Sequence, residues 1–314
     1  MKHNVVITII LLSMFLLTQL IGIGVVYSYT PKTTQVVLAN GTIQNITIVH
    51  NLPYNMEPPE DIAPPETFYS IIIALVIGIF LIFLLTKLKA VTFMRIWFFI
   101  VVILALSITF NALLSKFIPY SQYFVLLLTI PLAFFKIFKR NLIVHNLTEL
   151  LIYPGIAAVF VPILNIWTIV LLLFLISGYD MWAVWHSGFM QKLAKFQIDQ
   201  MKIFTGFFVP YLNKKQRALV KKLKKTKAGA KKLKKKKMRV QLAILGGGDI
   251  VFPIITAGVI MRLWGIIPAL IVTLCATASL LALFYYSKKG KFYPAMPFLT
   301  AGLLAGIWLA YLVA

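Results

Sequence analysis

The run Leu245-Gly246-Gly247-Gly248-Asp249-Ile250-Val251-Phe252-Pro253 decides how this chain is read. It sets a carboxylate inside an apolar stretch, directly behind three glycines. An ionised aspartate near a bilayer centre costs at least ~2.5–3.5 kcal/mol on insertion scales, so its presence there points to function. The glycines weaken a helix, but they let another backbone approach closely and let the helix loosen locally. A second lone acid stands in the preceding apolar segment, Ser177-Gly178-Tyr179-Asp180-Met181. Two intramembrane aspartates on consecutive helices, one behind a Gly-rich break, suggest aspartyl chemistry within a membrane.

Composition narrows the field. Of 314 residues, 61% are hydrophobic and only 12% charged, a balance that marks a polytopic membrane protein. The single cysteine, Cys275, can form no intrachain disulfide and reads as a small buried hydrophobe. His3, His50, His145 and His186 are scattered without an HExxH pair, so no metal site and no cofactor is expected. There is no Gly-x-Ser-x-Gly elbow for a serine nucleophile. Any acid–base site must come from eight acids: Glu57, Glu60, Asp61, Glu66, Glu149, Asp180, Asp199 and Asp249.

Working outward, apolar runs predict nine transmembrane helices in an all-α membrane fold. The first spans about residues 4–27; it is long for a signal-peptide core and lacks a small-x-small cleavage site. Further spans fall at about 67–86, 96–115, 121–138, 141–163, 164–187, 240–261, 264–286 and 294–313. Residues 1–187 thus carry helices one to six, with a polar, Pro-rich extracytoplasmic connector at 28–66, and residues 240–314 carry helices seven to nine. Lys and Arg cluster on alternate connections, which puts the amino terminus in the cytoplasm and the carboxyl terminus outside, in a multi-pass protein of the cell membrane.

Residues 188–239 form a basic cytoplasmic loop, with 18 Lys/Arg against one acid, Asp199. Its first part reads as an amphipathic helix, with Leu193, Phe196, Ile203, Phe204 and Phe207 on one face. The lysine-rich remainder suits anionic lipid beside the membrane; with no binding module around it, nucleic acid is not an expected partner.

The orientation also assigns depth. At 1.5 Å per residue, Asp180 lies roughly 10 Å and Asp249 roughly 13 Å from the cytoplasmic ends of their helices. Acids at similar depth on antiparallel neighbours can meet. A third interruption, Tyr293-Pro294-Ala295-Met296-Pro297-Phe298, opens the ninth span on the same side. Its prolines remove donors and free backbone carbonyls there.

Tyr179-Asp180, then Gly246-Gly247-Gly248-Asp249, then Pro294-Ala295-Met296-Pro297 resemble, in order and in layout, the presenilin and signal peptide peptidase family of GxGD intramembrane aspartyl proteases, in particular its archaeal-type presenilin homologues. The family has Leu where Met296 stands, a nearly volume-conserving change. The resemblance implies an aspartic endopeptidase that hydrolyses peptide bonds within transmembrane helices of membrane-protein substrates. Asp180 and Asp249 would be catalytic. Tyr179, Gly246, Gly247, Gly248, Pro294, Ala295, Met296 and Pro297 would support them or bind substrate. Two close carboxylates in a low dielectric cannot both ionise, so such a pair shares a proton, which belongs to the pair rather than to either residue. The competing reading is a carboxylate-lined ion or proton pathway. Glu149 reads as half of an interfacial ion pair, with Arg140 as its candidate partner, and His186 as part of an aromatic belt with Trp182 and Trp185. The oligomeric state stays open, a homo-oligomer included.

Overall fold

In a computed structural model, the described residues are 5–37, 43–48, 52–56, 64–88, 90–118, 121–139, 141–187, 205–211, 241–287 and 293–314. Among them are nine long helices: α1 (Val5–Tyr29), α2 (Pro64–Lys87), α3 (Val91–Leu114), α4 (Ser121–Phe138), α5 (Leu142–Phe160), α6 (Ile166–Trp182), α7 (Gly247–Trp264), α8 (Ile266–Tyr286) and α9 (Met296–Tyr311). Eight carry stretches long and apolar enough to cross a membrane, and α9 is a shorter apolar helix. The predicted helical membrane fold is therefore present, and the chain is an integral multi-pass protein.

α7 occupies the centre. It packs against α1, α5, α6, α8 and α9. Its Ile250, Ile254 and Ile260 are fully buried in a core shared with Leu11 and Phe15 of α1, Ile169 and Leu173 of α6, and Leu299 of α9. A second cluster joins α3, α4 and α5 through Leu106, Ala133 and Ile152. The outward faces stay apolar, for example Phe80 of α2 and Trp97 of α3, as surfaces that meet lipid must. With lipid on one side and side chains on the other, close packing rather than water exclusion holds such helices together.

Two features depart from an all-helical reading. The connector after α1 contains an antiparallel ribbon, β1 (Lys32–Val37) with β2 (Ile43–Ile48), where an extended solvated chain is expected. Alternation of β-branched and polar residues, Thr-Gln-Val and Gln-Asn-Ile-Thr, suits a ribbon. A second ribbon pairs β3 (Gly206–Tyr211) with β4 (Gln241–Gly246), register Gly206↔Gly246 through Tyr211↔Gln241.

This second ribbon corrects two expectations. Phe207 does not lie on an amphipathic helix: it is a strand residue, fully buried, and burial alternates from Phe207 to Pro210. Gly206 at φ 136° and Pro210, which lacks an amide donor, disfavour a helix at that point. The remainder of the expected amphipathic helix and the lysine-rich run lie outside the described residues. The seventh span also starts later than predicted. Residues 241–246 are strand, and helix begins only at Gly247, so Asp249 sits in the first turn of α7 rather than two turns inside a helix.

Candidate active site

Three chain ends converge. α6 delivers Asp180 two residues before its last residue, β4 delivers Asp249 three residues beyond its end, and Tyr293–Ala295 leads into α9. Asp180 stands two residues before the α-helix passes into a π-helical turn, Ala183–Ser187, and Asp249 stands in the first turn of α7.

Asp180 is held by the start of α9. Its Oδ2 accepts the Met296 backbone N–H at 3.0 Å, with the Ala295 N–H close enough to favour the same carboxylate. Pro294 and Pro297 have no amide hydrogen, so the donors this tetrapeptide does possess lie on Ala295 and Met296, beside Asp180. The first N–H groups of a helix have no partner within it and favour an anion. The Pro-Ala-Met-Pro segment thus acts here through its N–H groups, where the sequence suggested freed carbonyls. One turn away, Ser177 Oγ and Thr300 Oγ1 are 2.7 Å apart and tie α6 to α9.

Asp249 is held by its own helix. It is the third residue of α7, and its carboxylate lies beside Gly246, the residue before the helix, whose N–H favours it. An acid at this position suits the unpaired N–H groups that open a helix. Asp249 lies within electrostatic reach of Asp180. As residues, both aspartates are half-buried. Pro253 removes the N–H that would otherwise take the Asp249 carbonyl. From α1, buried Gln19 donates Nε2–H to the Ile250 carbonyl at 3.0 Å and braces the same turn.

The glycines before Asp249 have different surroundings. A Cβ on Gly247 would stand 2.7 Å from Tyr153 Oη, because the Tyr153 ring of α5 lies against it. A Cβ on Gly248 would meet nothing nearer than Phe252 at 3.9 Å, and Gly248 is exposed. The open side of the turn is therefore at Gly248, beside Asp249. Tyr179 is half-buried against Trp182, ring centroids 6.4 Å apart, as a packing neighbour of Asp180. Pro294 and Met296 are buried, while Ala295 and Pro297 are partly exposed.

Glu149 lies outside the pair and is almost wholly buried. Its ionic partner is Lys136 of α4; Arg140, the partner expected from the sequence, lies outside the described residues. Its other oxygen accepts the Gly206 N–H at 3.3 Å. Among the described residues no group of three His, Cys, Asp or Glu side chains is arranged to hold a metal. The sequence did not single out Tyr153, Gln19 or Asn146. Gln19 was detectable as an amide in an apolar run; Tyr153 is an ordinary aromatic in a helix and carries no such signal.

A family model described as signal-peptide peptidase, presenilin aspartyl protease matches residues 43–314. Two solved structures of a presenilin family intramembrane aspartate protease, in C222 and P2 space groups, are similar in fold. The first covers 98% of this chain and 99% of its own, with TM-score 0.60 and 17% identity. The second covers 97% of each, with TM-score 0.56 and 16% identity. No curated protein matches. Fold and family match together define a multi-pass membrane hydrolase of the aspartyl class. The chain belongs to the signal-peptide peptidase, presenilin aspartyl protease family.

Proposed function

We propose that Asp180 and Asp249 are the catalytic pair, and that together they activate a water for peptide hydrolysis within the transmembrane helices of membrane-protein substrates. The observation that carries this is the convergence of the end of α6, the first turn of α7 and the start of α9 on two carboxylates within electrostatic reach. One carboxylate, ionised, draws a proton from the water as the oxygen attacks the scissile carbonyl. The other, protonated, supports the carbonyl oxygen as it gains charge. The Met296 N–H bond to Asp180, and the backbone N–H groups of Ala295 and Gly246 beside the two carboxylates, orient the pair before substrate arrives, so less reorganisation is left for the reaction.

The ribbon supports a way to present the peptide bond. Phe208 turns its N–H and C=O to Asn146 of α5, so Gly206, Phe208 and Pro210 face away from β4. By the same alternation, Phe207, Val209 and Tyr211 bond β4, and the opposite edge of β4 is formed by the backbone of Leu242 and Ile244. That edge runs into Gly246 and the open side at Gly248. An unwound substrate segment adds there as a third strand, main chain to main chain, and is carried toward Asp249.

The test is purified protein in liposomes with a single-span peptide. Cleavage is expected from the wild type and none above background from Asp180→Ala or Asp249→Ala, each of which should still insert and fold. Substantial proteolysis by either variant would end the paired-aspartate reading. Asp-dependent ion or proton flux without peptide products would put the pathway reading in its place.

A further inference from the structure

We propose that Asn146, acting with His145 and Glu149, is a positioning group that sets the place of β3 in the β3–β4 ribbon, and so keeps β4 paired as the extended edge on which a substrate strand meets Asp249. The proposal rests on the substrate-strand reading above and adds to it what holds that edge in place.

The outer edge of β3 is a row of backbone groups inside a helical bundle, where unsatisfied N–H and C=O groups are costly. Three side chains from one end of α5 take four of them. Gly206 N–H bonds Glu149 Oε2 at 3.3 Å, and Gly206 C=O accepts from His145 Nε2 at 2.8 Å. Phe208 N–H bonds Asn146 Oδ1 at 3.0 Å, and Phe208 C=O accepts from Asn146 Nδ2 at 2.8 Å. A carboxamide is the one side-chain head that offers a donor and an acceptor side by side for a strand's paired groups. The third outward residue, Pro210, has no N–H to satisfy. Lys136 pairs with Glu149 and balances its charge, so the carboxylate is retained in a buried place.

Burial alone does not fix this ribbon. A slip of one residue would turn Phe207 and Leu245 out of the core, but a slip of two restores the same faces. The clamp forbids the two-residue slip. In one direction it brings Pro210, without a donor, opposite Asn146 Oδ1. In the other it brings Gly206, whose φ of 136° ends the extended strand, into that place. β4 is anchored separately, because it runs without a break into α7 and Asp249. The register thus follows from two anchors, one on each strand. A third strand pairs with β4, whose place relative to Asp249 the chain itself fixes, and the clamp on β3 keeps that edge paired and extended.

The experiment compares wild type, Asn146→Ala and Asn146→Asp in liposomes. Asn146→Asp is nearly isosteric, keeps the acceptor for Phe208 N–H, and replaces the donor with an oxygen facing Phe208 C=O. Amide exchange over 206–211, cut positions by mass spectrometry, kcat, KM and binding of a small hydroxyl-containing transition-state isostere are read together. Both variants should raise KM about tenfold, the scale of one or two ordinary hydrogen bonds, with the cut positions unchanged, because β4 stays anchored to Asp249. Isostere binding should stay within about twofold, since that probe reads the aspartates and not the strand. Faster exchange over 206–211 is expected in Asn146→Ala. Unchanged exchange in that variant, displaced cut positions, or a wild-type KM in both overturns the proposal. So does an equal loss of kcat and isostere binding with KM unchanged, which is the mark of a merely structural role. If Asn146→Ala fails to insert, Asn146→Asp is judged by the same cuts and KM. A wild type that neither cleaves nor binds the isostere defeats the protease reading instead, and exchange then decides whether the clamp exists.

Discussion

At Gly247 one methyl group decides whether α7 can start where it does. The Cβ of an alanine there would stand 2.7 Å from Tyr153 Oη and 3.0 Å from Cε1. Tyr153 is buried, packed edge-on against Phe207 at 6.2 Å, and has little room to withdraw. Gly247→Ala should therefore lower stability by about 1–3 kcal/mol, the usual size of overpacking, and lower activity with it. Tyr153 Oη is buried without a hydrogen-bond partner among the described residues. Tyr153→Phe should then be neutral or slightly stabilising, and should return part of the loss when combined with Gly247→Ala. Thermal unfolding in detergent checks both, and a Gly247→Ala protein as stable as wild type would show that the ring does not lie there. The same contrast explains what the sequence could tell. Asp180 and Asp249 stood out because a charge in an apolar run has a cost that composition makes visible. Tyr153 did not, because its importance lies in a contact with a residue 94 positions away. At Met296 the prolines announce missing donors, but only the structure shows that the Met296 N–H between them reaches Asp180.

Between elements, shape outweighs polar contact. α8 and α9 approach so closely that a Cβ on Gly306 would lie 2.9 Å from Val272 Cα, and one on Gly302 would lie 2.9 Å from the Cys275 carbonyl oxygen. Backbone cannot rotate away as a side chain can, so a methyl at Gly306 must part the helices. The Ser177–Thr300 hydrogen bond between α6 and α9 is of a kind worth only ~0.6 kcal/mol on average within membranes, because alternative partners exist in the unfolded state. Gly306→Ala should thus cost about 1–3 kcal/mol, and Thr300→Ala less than half of that. Chemical denaturation in mixed micelles gives the order, and the reverse order would refute it. Helices were legible because twenty apolar residues have few other destinations. Strands were not. Gln-Leu-Ala-Ile-Leu-Gly is a short apolar run that periodicity cannot separate from the start of a helix, and its partner Gly206–Tyr211 lies 30 residues earlier, across a lysine-rich stretch. Pairing over that separation is settled by Asn146 and Glu149, residues of a different helix.

For the whole molecule, direction is what the chain's charge distribution controls. The 18 Lys/Arg of residues 188–239 and the bias in the other connections support an amino terminus in the cytoplasm. If the lysine run serves that topology and contact with anionic lipid, replacing residues 221–237 by a short neutral linker should weaken binding to anionic vesicles and leave cleavage largely intact. Loss of cleavage by a correctly inserted trimmed protein would show that the run shapes the site. On that proposed orientation the end of α6, the start of α7 and the start of α9 would face the cytoplasm, with the β4 edge leading into α7. A peptide strand has a direction, and so does the edge it pairs with: reversal exchanges the positions of donor and acceptor and presents the scissile carbonyl to the other carboxylate. A substrate helix unwound from its cytoplasmic end can meet β4 in only one of those directions. Single-span substrates with the amino terminus outside are the expected ones, cut in the cytoplasmic half of the span and more readily where Gly or Pro weakens the helix. Two reporter helices of one sequence, inserted in opposite directions and mapped by mass spectrometry, measure this. Cleavage mainly of the reporter whose amino terminus is inside, or cuts gathered in the outer half, would reverse the assigned orientation and remove the β4 edge as the guide that carries substrate to Asp249.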